Sequence, residues 1–137
     1  MKRVLIADDE PIERMIVSRT VEKYFSEELT VVSAANGREA VEQFFAGDCQ
    51  IALLDIEMPG MNGLEAAEQI RKRDKNCSII FLTAFDEFNY AKRAIAVRAM
   101  EYLLKPVEDQ ELVAVLEEAV RIAEEQETDR AAGERKS

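Results

Sequence analysis

The chain has 137 residues, enough for one domain with a real core and too few for two. Hydrophobic residues make up 47%, which excludes disorder throughout, and 18 Lys+Arg against 28 Asp+Glu leave a net charge of -10 that argues against DNA binding by the domain itself. With no histidine, Ser-His and Cys-His nucleophiles and every histidine metal site are excluded.

At the amino terminus two basic residues precede only four apolar ones before Asp8, too short a run for a signal peptide. No apolar stretch approaches the length of a membrane span. Cys49 and Cys77 lack CxxC spacing, so reduced thiols and a cytoplasmic protein are expected.

The first apolar run, from Arg3 to Ala7, reads as a strand ending at Asp8-Asp9-Glu10. Pro11 suits the first turn of a helix on which Ile12, Met15, Ile16, Val21, Tyr24 and Phe25 recur at helical spacing. Leu29 to Ala34 is a β-branched second strand. Asn36 can cap a helix carrying Ala40, Val41, Phe44 and Phe45, and Gly47 stops it. Ile51 to Leu54 is wholly apolar and runs into Asp55, as a strand buried on both faces does. Turns at Pro59-Gly60 and Asn62-Gly63 lead to a helix from about Leu64 to Asp74, with Leu64, Ala67 and Ile70 inward.

Ser78 to Thr83 is the fourth strand. Asp86-Glu87 opens a helix to about Val97, with Ala91, Ala94 and Ile95 expected on its buried side. Tyr102 to Leu104 forms the fifth strand, closed by Lys105-Pro106. A last helix from about Glu108 shows Leu112, Leu116, Ala119, Val120 and Ala123. Residues 1–124 therefore form the folded domain and 125–137 a polar tail or linker, frayed from Thr128.

Five strands alternating with five helices predict an α/β fold, a doubly wound five-stranded parallel sheet of order 2-1-3-4-5. The switch point then lies between strands one and three, which end in Asp8-Asp9 and Asp55. Three clustered carboxylates disfavour one another's ionised form, and a divalent cation relieves this. Oxygen donors without histidine or thiolate select a hard ion, of which Mg2+ keeps waters and meets phosphate. Thr83 and Lys105 end strands four and five on the same edge. A hydroxyl, an ammonium and Mg2+ around an aspartate make a site for a phosphoryl group on that aspartate. Taken singly, Asp8-Asp9-Glu10 reads as a helix cap, Asp55 as a turn former, Thr83 as a strand end and Lys105 as a solvated charge. Their joint place on one edge favours the functional reading.

Asp8-Asp9-Glu10-Pro11, the stretch from Leu54 to Gly63, Leu82-Thr83-Ala84 and Lys105-Pro106 resemble the signature of bacterial response-regulator receiver domains, whose fold is flavodoxin-like. The resemblance spans about Lys2 to Ala123. It implies phosphorylation of Asp55 by a sensor histidine kinase in a two-component system. Mg2+ would lie between Asp8, Asp9, Asp55 and the Glu57 backbone carbonyl. Thr83 and Lys105 would contact the phosphoryl oxygens, and Tyr102 would be the aromatic that rotates with Thr83 on activation. Glu57 and Phe85 would border the path of the hydrolytic water and set the lifetime. The bond before Pro106 is expected to be cis. The face of the fourth helix, fifth strand and fifth helix would carry the output or a homodimer contact.

The stretch from Phe85 to Ile95 resembles receivers joined to AraC-type DNA-binding domains. DNA would then be met only through an output domain outside this chain, which reads either as a single-domain regulator or as one cut in its linker. Like any receiver it would catalyse its own phosphorylation and dephosphorylation only. An alternative is a haloacid-dehalogenase-like phosphatase with Asp55 as nucleophile; it expects an aspartate where Glu57 stands. The two cysteines precede adjacent strands at the edge opposite the site and read as structural thiols.

Overall fold

A computed structural model describes the backbone of residues 1–136 and the side chains of residues 1–133; Ser137 lies outside the described residues. The elements alternate as β1 (Lys2–Ala7), α1 (Pro11–Phe25), β2 (Leu29–Ala34), α2 (Gly37–Ala46), β3 (Ile51–Leu54), α3 (Gly63–Arg73), β4 (Ser78–Thr83), α4 (Phe88–Ala96), β5 (Glu101–Leu104) and α5 (Asp109–Lys136). All five strands are parallel, in the order β2-β1-β3-β4-β5 that the alternation predicts.

Each central strand is buried on both faces, which is why it reads as a continuous apolar run. Leu5, Ala7, Leu54, Ile79 and Phe81 face α2, α3 and α4 and pack with Phe44, Ile70 and Ala94. Val4, Ile6, Leu53, Ile80 and Leu82 face α1 and α5 and pack with Val17, Val21, Leu112 and Leu116. The helix starts follow local chemistry. Asn36 accepts the Glu39 N–H at 2.8 Å to open α2, and Asn62 and Glu65 cap α3 reciprocally.

Two expectations are corrected. Ile95 is 77% exposed and not on the inward face of α4, where Ala94 and Val97 are buried instead. One residue further along a helix turns a side chain by about 100°, so of two neighbouring apolar stripes only one meets the core. For the same reason Ile12, Met15, Ile16 and Tyr24 lie exposed on α1, while Val17, Thr20, Val21 and Phe25 are its buried stripe. Secondly, α5 stays helical to Lys136, where fraying is expected from Thr128. Good helix formers continue past the last buried residue, Ala123, and two contacts tie the extension to the base of the sheet. Gln126 Nε2 donates to the Asn76 carbonyl at 2.9 Å, and Lys2 pairs with Glu127.

Candidate functional site

The carboxyl edge of the sheet is built by register. Ala7 pairs with Leu54, so Asp8 and Asp55 leave adjacent strands side by side, and the Asp55 N–H donates to the Ala7 carbonyl at 2.9 Å. Carboxylate oxygens of Asp8, Asp9 and Asp55 all lie within 4.8 Å of one another. Asp8 and Asp55 are buried and Asp9 is exposed, so the group opens to solvent on one side.

Backbone donors fix the two buried carboxylates. Asp8 Oδ1 accepts the Glu10 N–H at 2.9 Å, and Asp55 Oδ1 accepts the Ile56 N–H at 2.7 Å. Lys105, just past β5, reaches the remaining oxygens: its Nζ lies 2.8 Å from Asp8 Oδ2 and 3.3 Å from Asp55 Oδ2. Burial pulls this ammonium's pKa down. The hydrogen bond to Asp8 and the charges of Asp55 and Asp8 outweigh that and hold it above its usual value. Its backbone is set by β4, because the Lys105 N–H donates to the Thr83 carbonyl at 2.8 Å, and the Lys105–Pro106 bond is cis.

Thr83 shares the edge but is fully buried, its hydroxyl accepting the Phe85 N–H at 3.4 Å. Tyr102 donates its hydroxyl to the Phe85 carbonyl, and its ring stands 6.1 Å from that of Phe81. Asp9, Glu10, Glu13, Asp55, Glu57, Phe85 and Lys105 line a cavity of about 730 Å³ above the edge. Of the predicted residues Asp9, Asp55, Glu57, Phe85 and Lys105 line it, Asp8 adjoins it through Lys105, and Thr83 and Tyr102 are not in its lining but are joined to one another through Phe85.

Three residues escape the sequence reading. Glu13 lies 3.8 Å from the Lys105 ammonium, and Arg14 donates to the Asp8 carbonyl at 2.6 Å. Both fall in the first turn of α1, directly after the acidic run, and that proximity was a usable signal. The third is Tyr90 on α4, whose hydroxyl donates to Glu57 Oε2 at 3.3 Å. Thirty-three positions separate the pair, and no local pattern announces such a contact.

The donor set suits a hard divalent cation: oxygens only, from three carboxylates, with a neighbouring exposed loop from which the Glu57 backbone could add a carbonyl. Among the described residues no helix is long and apolar enough to cross a membrane.

Residues 4–117 match the family described as response regulator receiver domain. The positive alginate biosynthesis regulatory protein of Pseudomonas aeruginosa is 41% identical over 118 residues, covering 86% of this chain and 47% of that protein. The chemotaxis protein CheY of Thermotoga maritima is 36% identical over 84% of this chain and 94% of its own length. Among solved structures, the response regulator TrrA of Thermotoga maritima in complex with Mg2+-BeF superposes with a TM-score of 0.75 at 39% identity, covering 87% of this chain and 99% of that one. Against the first relatives, several of them transcriptional or response regulators, the chain spans only 33% to 47% of their length. The haloacid-dehalogenase alternative finds no support in these matches. Receivers as a class are signalling switches, and the acidic edge lies where this fold puts its chemistry. The chain belongs to the response-regulator receiver domain family.

Proposed function

We propose that this domain is a phosphorylation-activated switch in which Asp55 accepts the phosphoryl group of a sensor histidine kinase. The observation that carries this is the joint position of Lys105 and the three carboxylates. A single ammonium bridges Asp8 and Asp55 while Asp9 stays open to solvent. Asp55 Oδ1 accepts the Ile56 N–H at 2.7 Å and Oδ2 the Lys105 ammonium at 3.3 Å; Oδ2, released as Lys105 turns to the phosphoryl group, is the oxygen assigned to attack phosphorus. As the new O–P bond forms, the donor's P–N bond breaks and its electron pair leaves with the imidazole; with acetyl phosphate a P–O bond breaks and acetate leaves. Bound Mg2+, held by Asp8, Asp9, Asp55 and the Glu57 carbonyl, would supply charge neutralisation for the phosphoryl oxygens. Lys105 then turns from the aspartates toward a phosphoryl oxygen.

Thr83 and Tyr102 form the relay. Thr83 now bonds Phe85, and Tyr102 bonds the same residue from β5. Drawing the Thr83 hydroxyl onto the phosphoryl group releases the Phe85 N–H and lets the Tyr102 ring move. That changes the face of α4, β5 and α5, the candidate surface for a homodimer or an output domain through which DNA would be met. In this reading the domain works in the cytoplasm and catalyses only its own phosphorylation and dephosphorylation. Phe85 borders the cavity and shields the acyl phosphate from water, while the rim carboxylate of Glu57 tunes the same path.

Acetyl phosphate with Mg2+ is expected to add one phosphoryl group at Asp55, read by intact-mass and peptide mass spectrometry. Asp55→Asn abolishes it, and chelating Mg2+ or Asp9→Ala nearly does. Undiminished labelling of the Asn variant at the same peptide would sink the assignment.

A further inference from the structure

We propose that Tyr90 is a positioning residue: its hydroxyl holds the Glu57 carboxylate at the rim of the cavity, out of the path of an anionic phosphodonor. This rests on the reading of Asp55 as phosphoacceptor and deepens it. The lining is lopsided in charge, with Asp9, Glu10, Glu13, Asp55 and Glu57 against Lys105. That ammonium is already engaged by Asp8 and Asp55. A donor that is itself anionic therefore approaches a negative mouth, where the place of each carboxylate alters the local potential.

Glu57 is exposed on the loop between β3 and α3, two residues past Asp55, so its side chain is free to sweep the mouth unless something holds it. The Tyr90 hydroxyl, 3.3 Å from Glu57 Oε2, offers it a donor there, with the Glu87 carboxylate also beside that hydroxyl. Tyr90 is well suited to this, because its half-buried ring packs against the core beneath α4 and the donor is presented with little freedom left to lose. The ring anchors and the hydroxyl steers. Tyr90→Phe keeps the first role and deletes the second, so a released carboxylate would drift over Asp55 and repel the donor.

The measurement is the rate of Asp55 phosphorylation by acetyl phosphate at saturating Mg2+, in low and high salt, for the parent, Tyr90→Phe, Glu57→Gln and the double variant. At low salt Tyr90→Phe is expected to slow the reaction by roughly two- to fivefold, the scale of one unit charge several Å closer in a solvated site. About 1 M salt should erase most of the difference. On the Glu57→Gln background, Tyr90→Phe should change nothing, because the cycle isolates the contact. In the unphosphorylated protein, the Glu57 carboxyl carbon resonance should shift on Tyr90→Phe. A Tyr90→Phe rate equal to the parent's at low salt overturns the inference. So does an equal slowing on the Glu57→Gln background, which would assign the effect to packing. A parent that is not labelled at Asp55 overturns the reading beneath it and the inference together, and is told apart by that control.

Discussion

Gly63 carries no side chain because none fits: a Cβ there would stand 1.7 Å from the Asp55 carbonyl oxygen. Its N–H donates to the Ile56 carbonyl at 2.7 Å, so the start of α3 is pressed directly against the segment that carries Asp55, the proposed phosphoacceptor. Gly63→Ala must push that loop away, and with it the carboxylate that Ile56 steadies. A cost of about 2–4 kcal/mol is expected, read from urea unfolding, together with slower labelling of Asp55. Gly60 is the control, with a φ of +72 and open space around it. Gly60→Ala should cost only about 1 kcal/mol, from backbone strain alone. Equal effects at the two positions would refute the steric account.

Helix α4 is held unevenly, and this matters for a switch. Behind its carboxyl end the buried Arg71 of α3 donates to the Val97 carbonyl at 2.8 Å and to the Cys77 carbonyl at 2.8 Å. At its amino end Glu87 provides no side-chain cap, and Phe88 is 81% exposed. The carboxyl end is therefore tied by Arg71, while the amino end, nearer Thr83 and Phe85, has no side-chain cap and rests on the packed Tyr90 ring. A ligand moves such an equilibrium only by its differential affinity for the two arrangements, and the Thr83 hydroxyl is the group that would sense the phosphoryl oxygen. Thr83→Ala is expected to accept phosphate yet respond less. Amide exchange of residues 86–123 with a beryllofluoride mimic would show this, and a response undiminished from the parent's would remove Thr83 from the relay.

Across the whole molecule the two ends of the sheet do different work. The carboxyl edge gathers Asp8, Asp9, Asp55 and Lys105, while at the opposite edge Cys49 and Cys77 lie buried beside a second cavity of about 410 Å³. Burial first of all, with the charge of Asp48, outweighs Arg3 and pushes the Cys49 thiol up to about 11. Burial, followed by the charge of Asp74, pushes Cys77 up to about 12. Because folded values lie above the unfolded one, the unfolded chain loses these protons first as pH rises. The thiol contribution to stability is thus intact below about pH 9 and falls from there up to about pH 11–12. Urea titrations between pH 8 and 11 should show this loss, and it should shrink in a Cys49→Ala, Cys77→Ala variant measured against its own pH 8 value. An alkylating reagent at pH 8 should label the thiols only on unfolding. Rapid labelling of the folded protein would contradict their structural reading.

Strand order, the two-sided burial of β3 and β4, and the meeting of Asp8, Asp9, Asp55 and Lys105 on one edge were all legible from residues alone. They follow from local signals whose consequences topology restricts: apolar runs of strand length, turn residues, and right-handed crossovers that leave few strand orders. The receiver resemblance rested on the same residues. Tertiary structure decided what local pattern leaves degenerate. Of two apolar stripes on α1, only Val17, Thr20, Val21 and Phe25 went inward, and on α4 Ala94 did so in preference to Ile95. Periodicity counts apolar residues but does not say which way a helix is rolled onto the sheet. The Tyr90–Glu57 and Arg71–Val97 contacts likewise join residues 33 and 26 positions apart. A single side chain reaching across a packed fold leaves no repeating trace in the sequence, so only the placement of one helix against the next could bring these pairs together.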